Sequence, residues 1–436
     1  MRDKVVWNLA CIPNSFLNAD CQQPAPRVAR MNSRLNTAAD GEAQAVWSDR
    51  PCGRFEVAAF TNPSDIEREW RQLESTGVAT IFQRYDWVDA YARHVLPKEK
   101  ATPAIVLGRL DGNPAFILPL ATSTFGPVRV ATWIGGNHSS YNFGLWSHEA
   151  AAAMASMRRT QIEAMLRAAL DGVDYAVLRR MPRIHDDMAQ PLAALSRSPS
   201  HTEGYSFALA GGFAAVLQKR NGGSRQRKIQ SKERKMREAG VLEYGTVRSL
   251  ERGNAALDFF FEQKALRLAE QGQLNSFGAP GVTDFFRDLL DRSRHMSEPL
   301  LEMAELRVGG KICAVIGSAI HRKRVNVYFM TFARDELAPQ SPGQVLTFRQ
   351  IAECCERGMA AYDLGVGFED FKTHWCDVIH ELDDAYVPLT SRGNTAIAAI
   401  QLGRAATDQL RRNPFLWQRL KWLRAYLARH AFAGNR

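Results

Sequence analysis

Two kinds of hydrophobic pattern alternate along the chain from residue 55 onward. Short runs rich in β-branched and aromatic residues predict strands, and apolar residues three to four positions apart predict amphipathic helices. In the first half the predicted strands are residues 55–60, 104–110, 115–121, 128–134 and 175–180. The predicted helices of this half are residues 63–75, 85–95 and 150–170.

The second half of the chain shows the same order of elements. Turns containing glycine, Asp111-Gly112-Asn113 and Gly309-Gly310, join the first two strands of the two halves as hairpins. No residues recur at a fixed period, so the repeat is one of architecture and predicts two similar domains. The predicted helices of the second half are residues 254–270, 283–294 and 343–357, and its predicted strands are residues 300–308, 311–320, 325–332 and 360–364.

The composition is that of a globular protein without a membrane span. The chain has 436 residues, 45% hydrophobic and 23% charged, which is enough for two domains. No apolar run of about 18 residues predicts a transmembrane helix, and the N-terminus lacks the pattern of a secretory signal. Seven cysteines without a C-x-x-C pair argue against a disulfide framework and a zinc site. We therefore expect a cytoplasmic protein, with contact to the inner membrane face left open.

The net charge of +10 is concentrated in two segments. Residues 219–237 carry nine basic residues against one acidic residue, and residues 391–436 carry the same balance. The rest of the chain is therefore net negative, and we expect anionic partners at particular places, such as an anionic polymer or a membrane surface. Aromatic residues do not alternate with the basic residues of 219–237, which disfavours nucleic acid as the partner.

These patterns divide the chain into five predicted regions. Residues 1–52 have the composition of a disordered segment. At the other end of the chain, the leucines of the C-terminal helices either pack on the domain or lie on an anionic membrane. The regions are a disordered N-terminal segment 1–52, a first domain 53–200, a bridging segment 201–248 with a basic helix, a second domain 249–390 and basic C-terminal helices 391–436.

The stretch 325–375 organises the second half. A predicted strand leads through a loop into a predicted helix, and Ser341-Pro342-Gly343 stands at the helix start. Serine caps helices and proline fits the first turn. The N–H groups and the positive end of the helix favour a phosphate there, and Gly343 allows its close approach. The alternative is that these residues only cap the helix.

Five short motifs carry a resemblance to a known superfamily. They are 82–87, the basic helix 225–237, Ser341-Pro342-Gly343, Tyr362-Asp363-Leu364-Gly365 and 371–375. In their order and spacing they resemble the GNAT acetyltransferases, and within them the CelD-like branch related to the Fem aminoacyltransferases. The resemblance implies an α/β (α+β) fold of tandem GNAT-like acyl-CoA N-acyltransferase domains, each a mixed central sheet flanked by helices.

The resemblance also implies a donor and a place for it. The donor would be acetyl-CoA or another acyl-CoA, bound in the second domain without a metal. Because related Fem proteins use tRNA-borne donors, an aminoacyl donor is the alternative. The residues implied in donor binding are Gln340, Ser341, Pro342, Gly343, Gln344 and Lys372.

Three residues of the second domain are candidates for catalysis. Tyr328 would be the general acid for the leaving thiol, the alternative being a core tyrosine with a satisfied hydroxyl. Asp363 and His374 would be general bases, the alternatives being a buried structural anchor and a surface histidine. Acyl transfer to a neutral amine needs mainly proximity and oxyanion stabilisation, so the chemistry does not require a base.

Candidate substrate-binding residues lie outside the second domain. Gln83 belongs to the motif before the second helix, and Asn137 and Tyr141 lie in a polar loop where the first domain would carry a ligand loop. Arg225 and Lys228 match the basic helix of the family, which would lie near the cleft. Gln83 would line the cleft and the loop residues would contact an acceptor sugar or peptide, whereas the alternative for the basic helix is a solvated helix.

Together these features predict an enzyme, an acyltransferase that moves an acyl group such as acetyl from CoA to an amine or hydroxyl. The resemblance points to a polysaccharide- or envelope-related acceptor, whose identity is unknown. The alternatives are an aminoacyl transferase with a tRNA-borne donor and a non-catalytic accessory protein of polysaccharide biosynthesis that binds an anionic partner. An enzyme needs an open cleft beside residues 365–375, whereas side chains would fill that cleft in an accessory protein.

Overall fold

The computed structural model describes residues 55–196, 198–220 and 222–411, with side chains as far as Gly403. The predicted disordered segment 1–52 and the last part of the predicted C-terminal helices lie outside these residues. Within them, the chain folds into two mixed β-sheets flanked by α-helices. This architecture confirms the predicted fold class.

Strands and helices occur where the hydrophobic pattern predicts most of them. The strands are β1 (Phe55–Phe60), β2 (Thr102–Leu110), β3 (Asn113–Phe125), β4 (Val128–Trp133), β5 (Leu145–Trp146), β6 (Tyr175–Pro182), β7 (Ile184–His185), β8 (Met188–Ala189), β9 (Ser198–Pro199), β10 (Gly204–Ala208), β11 (Leu242–Thr246), β12 (Glu302–Val308), β13 (Lys311–His321), β14 (Arg324–Phe332), β15 (Ala361–Val366), β16 (Val378–His380) and β17 (Leu382–Pro388). The helices are α1 (Glu67–Thr76), α2 (Tyr85–His94), α3 (His148–Ala155), α4 (Arg159–Ala169), α5 (Gly212–Gln218), α6 (Gly222–Ala239), α7 (Leu250–Glu270), α8 (Val282–Arg292), α9 (Pro342–Glu356), α10 (Asp370–Thr373) and α11 (Ser391–Arg411).

Each sheet combines an antiparallel meander with one parallel pair of strands. The first sheet has the order β1-β2-β3-β4-β6-β17-β9, with β5 beside β3, and β4 runs parallel to β6. The second sheet has the order β11-β12-β13-β14-β15-β10-β16, and β14 runs parallel to β15. A parallel pair needs a crossover connection, which α3 and α4 supply in the first sheet and α9 in the second.

Two strands depart from the domain division predicted from the sequence. β10 follows the first half in the chain but lies in the second sheet, between β15 and β16. β17 follows the second half but lies in the first sheet, between β6 and β9. The second sheet is therefore built from residues 204–380 alone, and its strands β10 and β11 come from 201–248, which the sequence pattern assigned to a bridging segment. The first sheet, in contrast, needs β17 from the end of the second half. β10 is only five residues long and β17 contains Asp383 and Asp384, so neither shows a clear strand pattern.

One hydrophobic core is common to both halves. It combines residues of α1 and α2 with residues of α7, α8 and both sheets. Trp87 and Tyr91 of α2 each pack against Phe285 of α8 with ring centroids 5.2 Å apart. At the edge of this core Arg292 of α8 donates to Asp89 of α2 at 2.7 Å. The halves therefore form one packed body, in which a loop of the first half can contribute to a site in the second.

The predicted helix 150–170 is in fact two helices, α3 and α4. Arg158 between them is extended, with ψ of 151°. Its N–H donates to Gln161 Oε1 at 2.8 Å, and this contact caps the N-terminus of the second helix. Met154 and Ile162 are both fully buried, which is why the apolar spacing predicted one continuous helix.

Candidate functional site

The pairing of the parallel strands in the second sheet ends early, which defines the candidate cleft. β14 and β15 pair at only three positions, the last of which joins Asn326 to Asp363. Beyond that point a bulge leaves Tyr328 of β14 unpaired with β13, and Gly365 of β15 adopts φ of +70°. A bulge bends its strand, and glycine allows the left-handed conformation. The pairing of the two strands therefore ends beside residues 365–375, where the sequence predicts the cleft; that this cleft is open stays a prediction.

The corresponding space in the first sheet is filled by the protein itself. β4 and β6 also pair at three positions. Beyond them Asn142 donates its N–H to Arg180 O at 3.0 Å and its side-chain amide to Arg179 O at 2.9 Å. Arg180 Nη1 donates in turn to Ser139 O at 2.7 Å. The candidate cleft is therefore the one in the second sheet.

The start of α9 lies at the far end of this cleft and carries no negative charge. Ser341 precedes the helix with φ of 53° and makes no capping hydrogen bond with its side chain. The first turn contains no acidic residue, and Gln340 ends a short turn just before it. Gly343 packs against the last residue of β14, since a Cβ there would lie 3.3 Å from Phe332 Cδ1. An uncapped helix start of this kind favours an anion.

The basic helix α6 brings a lysine to the same place. Lys232 Nζ donates to Gln344 Oε1 at 2.8 Å, and Lys228 lies one turn earlier and is exposed. Burial, together with neighbouring Lys228, lowers the pKa of Lys232 below its usual value. The buried Glu233 fixes α6 to α9 through two hydrogen bonds of 2.6 Å from Arg349. A cation at the positive end of a helix is unfavourable on its own, so the arrangement suits an anionic ligand.

Asp363 lies at the base of the cleft and connects the two halves. Its Oδ1 accepts hydrogen bonds from Tyr141 Oη at 2.9 Å and from the Gly365 N–H at 2.7 Å. Both side chains are buried, Asp363 at 3% and Tyr141 at 5% exposure. His380 Nε2 lies 3.9 Å from Asp363 Oδ2 and 2.7 Å from Ser206 Oγ. Two predicted site residues, Asp363 and Tyr141, are thus in direct contact.

The histidine near Asp363 is His380, whereas the sequence suggested His374. His374 is exposed, and its Nδ1 lies 2.8 Å from Asp370 O. His380 lies on β16, and burial lowers its pKa below the usual value while Asp363 acts in the opposite direction. No motif and no predicted strand surrounded His380 in the sequence, so the only available signal was the short apolar run of β16.

Lys372 and Tyr328 are both buried near the cleft. Lys372 is 4% exposed and its Nζ donates to Val366 O at 3.0 Å, which places it at the end of β15 rather than at the start of α9. Burial lowers the pKa of Lys372. Tyr328 Oη is inaccessible to solvent and completes no hydrogen bond with the described residues, although the nearby Trp87 indole acts on its pKa. The Tyr328 ring lies 5.7 Å from Phe82. Burial raises the pKa of Tyr328.

The remaining predicted substrate-binding residues surround the loop that carries Tyr141. Gln83 is fully buried and its Nε2 donates to Tyr141 O at 3.2 Å, so it holds this loop in place. Asn137 belongs to the same loop and is half-buried. Arg225 stacks on Trp375, with 4.4 Å between its guanidinium carbon and the ring centroid. The structure therefore brings Gln83 and Tyr141 together and leaves Arg225 on the α6 side of the cleft.

Neither a metal centre nor a membrane span is evident in the described residues. They contain no group of three or more histidine, cysteine, aspartate or glutamate side chains that could hold a metal ion. Among the helices of this part of the chain, none is both long and apolar enough to cross a membrane.

A family match covers this site. Residues 223–373, about a third of the chain, match the model described as an acetyltransferase (GNAT) domain. The matched segment begins at α6 and ends at α10, so it includes the cleft, the start of α9 and Asp363. The second half therefore contains a GNAT-type acetyltransferase domain, which indicates a transferase. The CelD-like branch is not confirmed and stays a prediction.

Several solved structures are similar to this chain at low identity. FemX is 10% identical, with 76% of this chain and 97% of that chain covered and a TM-score of 0.49. L-PGS from Bacillus licheniformis is 12% identical, with 80% and 99% covered and a TM-score of 0.45. A tandem GNAT protein from the clavulanic acid biosynthesis pathway is 10% identical, with 77% and 99% covered and a TM-score of 0.41. No curated protein matches the chain at a significant level. Likenesses this distant carry no functional argument.

Proposed function

We propose that the protein transfers an acyl group from an acyl-CoA donor to an amine, in the cleft of the second sheet. The observation that supports this function best is the cleft between β14 and β15, which leads to the uncapped start of α9. An acyl-CoA has a phosphate-bearing end that suits the helix start and a thioester end that suits the space between the strands. The polysaccharide- or envelope-related acceptor stays a prediction from the resemblance.

The buried carboxylate of Asp363 favours an amine over a hydroxyl acceptor. None of the described residues donates a hydrogen bond to its Oδ2, and an ammonium group would supply both a charge and donors. In the reaction the amine nitrogen attacks the thioester carbon, and the C–S bond breaks as the C–N bond forms. One ammonium proton ends on the CoA thiol and a second passes to solvent. The cleft contributes by holding both reactants at attack distance.

A basic stripe on α6 favours a second candidate donor. Arg225, Lys228, Lys232 and Lys235 follow one another at three- and four-residue spacing, which places them on one helix face. This stripe runs from Trp375 to the start of α9, because Arg225 stacks on Trp375 and Lys232 reaches the first turn of α9. A polyanionic donor such as an aminoacyl-tRNA would contact the whole stripe, whereas CoA carries its phosphates at one end.

Calorimetric titration of the full chain with acetyl-CoA, free CoA and a long-chain acyl-CoA tests the donor. We expect saturable binding in the wild type and a loss of roughly tenfold or more in Gly343→Trp. The indole would occupy the space that a phosphate needs, while Phe332, which is 40% exposed, can move aside and leave the fold intact. If Gly343→Trp binds the CoA compounds with wild-type affinity, the start of α9 is not part of the donor site. Binding of an aminoacyl-tRNA but of none of the CoA compounds would establish the second donor.

Lys232→Ala should weaken acetyl-CoA binding by about tenfold. The lysine lies at the first turn of α9, and a charge-assisted hydrogen bond to a phosphate contributes about 1.5 kcal/mol. The matched control is Arg234→Ala, which removes an exposed charge from the opposite side of the same helix and should bind as the wild type does. The difference in acetyl-CoA affinity between Lys232→Ala and the wild type should become smaller at high salt, which screens the charge. If Lys232→Ala and Arg234→Ala bind acetyl-CoA with equal affinity at low salt, Lys232 does not contact the donor and only helps to hold α6 against α9.

A further inference from the structure

We propose that Tyr141, a residue of the first half, is a positioning residue for the acceptor amine in the cleft of the second half. The inference rests on the proposed amine transfer and adds a residue from outside the matched segment 223–373. Tyr141 would hold one carboxylate oxygen of Asp363, so that the other is presented to the ammonium group.

The hydrogen bonds of Asp363 are distributed unequally between its two oxygens. Oδ1 accepts both the Tyr141 hydroxyl at 2.9 Å and the Gly365 N–H at 2.7 Å, while none of the described residues donates to Oδ2. Two donors on one oxygen fix the rotation of the carboxylate. Because Gly365 belongs to the same strand as Asp363, Tyr141 is the donor that ties this orientation to the rest of the molecule.

Two basic side chains near Asp363 make their hydrogen bonds elsewhere. Lys372 Nζ donates to Val366 O at 3.0 Å, and His380 Nε2 is within hydrogen-bond distance of Ser206 Oγ. His380 is also neutral near pH 7, because burial lowers its pKa. The carboxylate is therefore left for a cation that arrives with the acceptor.

The position of Tyr141 is itself closely defined. Its carbonyl accepts hydrogen bonds from Thr80 Oγ1 and Gln83 Nε2, both at 3.2 Å. Its hydroxyl end lies against Gly204 of β10, where a Cβ would come within 2.3 Å of Oη. The glycine leaves room for the hydroxyl that a side chain would displace. If Tyr141 only joined the halves, loss of its hydroxyl would lower the stability of the protein and leave acceptor selectivity unchanged.

Two CoA thioethers test the inference without knowledge of the natural acceptor. S-(2-aminoethyl)-CoA places an ammonium group just beyond the sulfur, where the acceptor nitrogen would lie. S-(2-hydroxyethyl)-CoA is the uncharged analogue of similar size. Both are titrated by calorimetry against the full-length wild type, Tyr141→Phe, Asp363→Asn and the double variant, with acetyl-CoA as reference. The control is Tyr205→Phe, which removes a hydroxyl bound to Glu203 at 3.2 Å on the opposite face of β10.

We expect the wild type to prefer the aminoethyl compound by roughly tenfold or more and Asp363→Asn to lose that preference. Tyr141→Phe should reduce the preference at least threefold without changing acetyl-CoA affinity, and it should add nothing in the Asp363→Asn background. Such non-additivity shows that Tyr141 acts through Asp363. Tyr205→Phe should retain the full preference.

The remaining outcomes overturn the inference in distinguishable ways. Equal affinity of the wild type for both thioethers, or an undiminished preference in Tyr141→Phe, would reject it while the acyl-CoA donor stands. Binding of acetyl-CoA but of neither thioether would also reject the ammonium site. No binding of any CoA compound would reject the proposed donor and this inference with it. Should Tyr141→Phe fail to fold, Gly204→Ala, which displaces the hydroxyl, is expected to reduce the preference in the same way.

Discussion

Val387→Asp, a single change in β17, should unfold the first sheet, whose other strands all come from residues 55–199. Val387 is fully buried in the core formed by the first sheet with α3 and α4, and it pairs with Ala176 of β6. A carboxylate placed there would be buried among apolar side chains, and Arg159 and Arg167 of α4 already donate to the carbonyls of residues 386 and 389. We therefore expect a loss of about 4 kcal/mol or more in the free energy of unfolding. Domains are stable by only about 5–15 kcal/mol, so the effect is severe.

Urea unfolding combined with hydrogen exchange measures this loss and locates it. Because both halves share one core, protection should fall in both sheets, with the larger loss in β2, β3, β4 and β6. Ile379→Asp is the matched control, because it places the same charge in neighbouring β16, where Ile379 is 57% exposed. It should cost less than about 0.5 kcal/mol. Full protection of β4 and β6 in Val387→Asp would contradict the observed place of β17 beside β6 in the first sheet.

Lowering the pH from 6.5 to 4 should remove about 3 kcal/mol of stability through His138 alone. His138 lies in the loop of Tyr141, and its ring packs 5.1 Å from Phe277 and 5.8 Å from Phe286 of the second half. Burial, together with Arg180, lowers its pKa to about 4. In the unfolded chain the same group titrates near 6.5, so the unfolded state binds the proton first. Stability from this group is therefore complete above pH 6.5 and is lost as the pH falls towards 4.

Urea titrations between pH 7 and pH 4 test the contribution of His138. His138→Leu keeps an apolar side chain among the phenylalanines and should show a shallower fall of stability than the wild type. His148→Gln, at the exposed start of α3, should follow the wild type. Burial also lowers the pKa of His185 to about 4, and this group is present in all three proteins, so the comparison isolates His138. Equal slopes in the wild type and His138→Leu would refute the assignment.

The hydrophobic pattern predicted those elements whose buried face repeats regularly. Helix α2 was predicted as residues 85–95 and spans Tyr85–His94, and β1 was predicted with its observed bounds. The pattern did not predict β10 or β17, because one is short and the other carries two aspartates. Even a correct prediction of both strands would not have shown that β17 joins the first sheet, since the order of strands along the chain does not determine which strands pair.

The candidate site was predicted as a set of residues but not as an arrangement. Asp363 and Tyr141 were both named from the sequence, yet their hydrogen bond joins positions 222 residues apart. The candidate phosphate site at Ser341-Pro342-Gly343 was predicted because its signal is local. Lys232 and His380 were not predicted, because only the fold brings Lys232 to the start of α9 and His380 close to Asp363.

The return of β17 to the first sheet has a consequence for how the protein is made. While the ribosome is still translating the second half, β17 does not yet exist, so the edge of β6 that it covers has no partner within the nascent chain. β10 is already present at that stage, but its own partner β15 is not. An open strand edge invites pairing with other chains. Folding must therefore be completed after most of the chain has emerged, and slow translation of the second half would lengthen the period of risk.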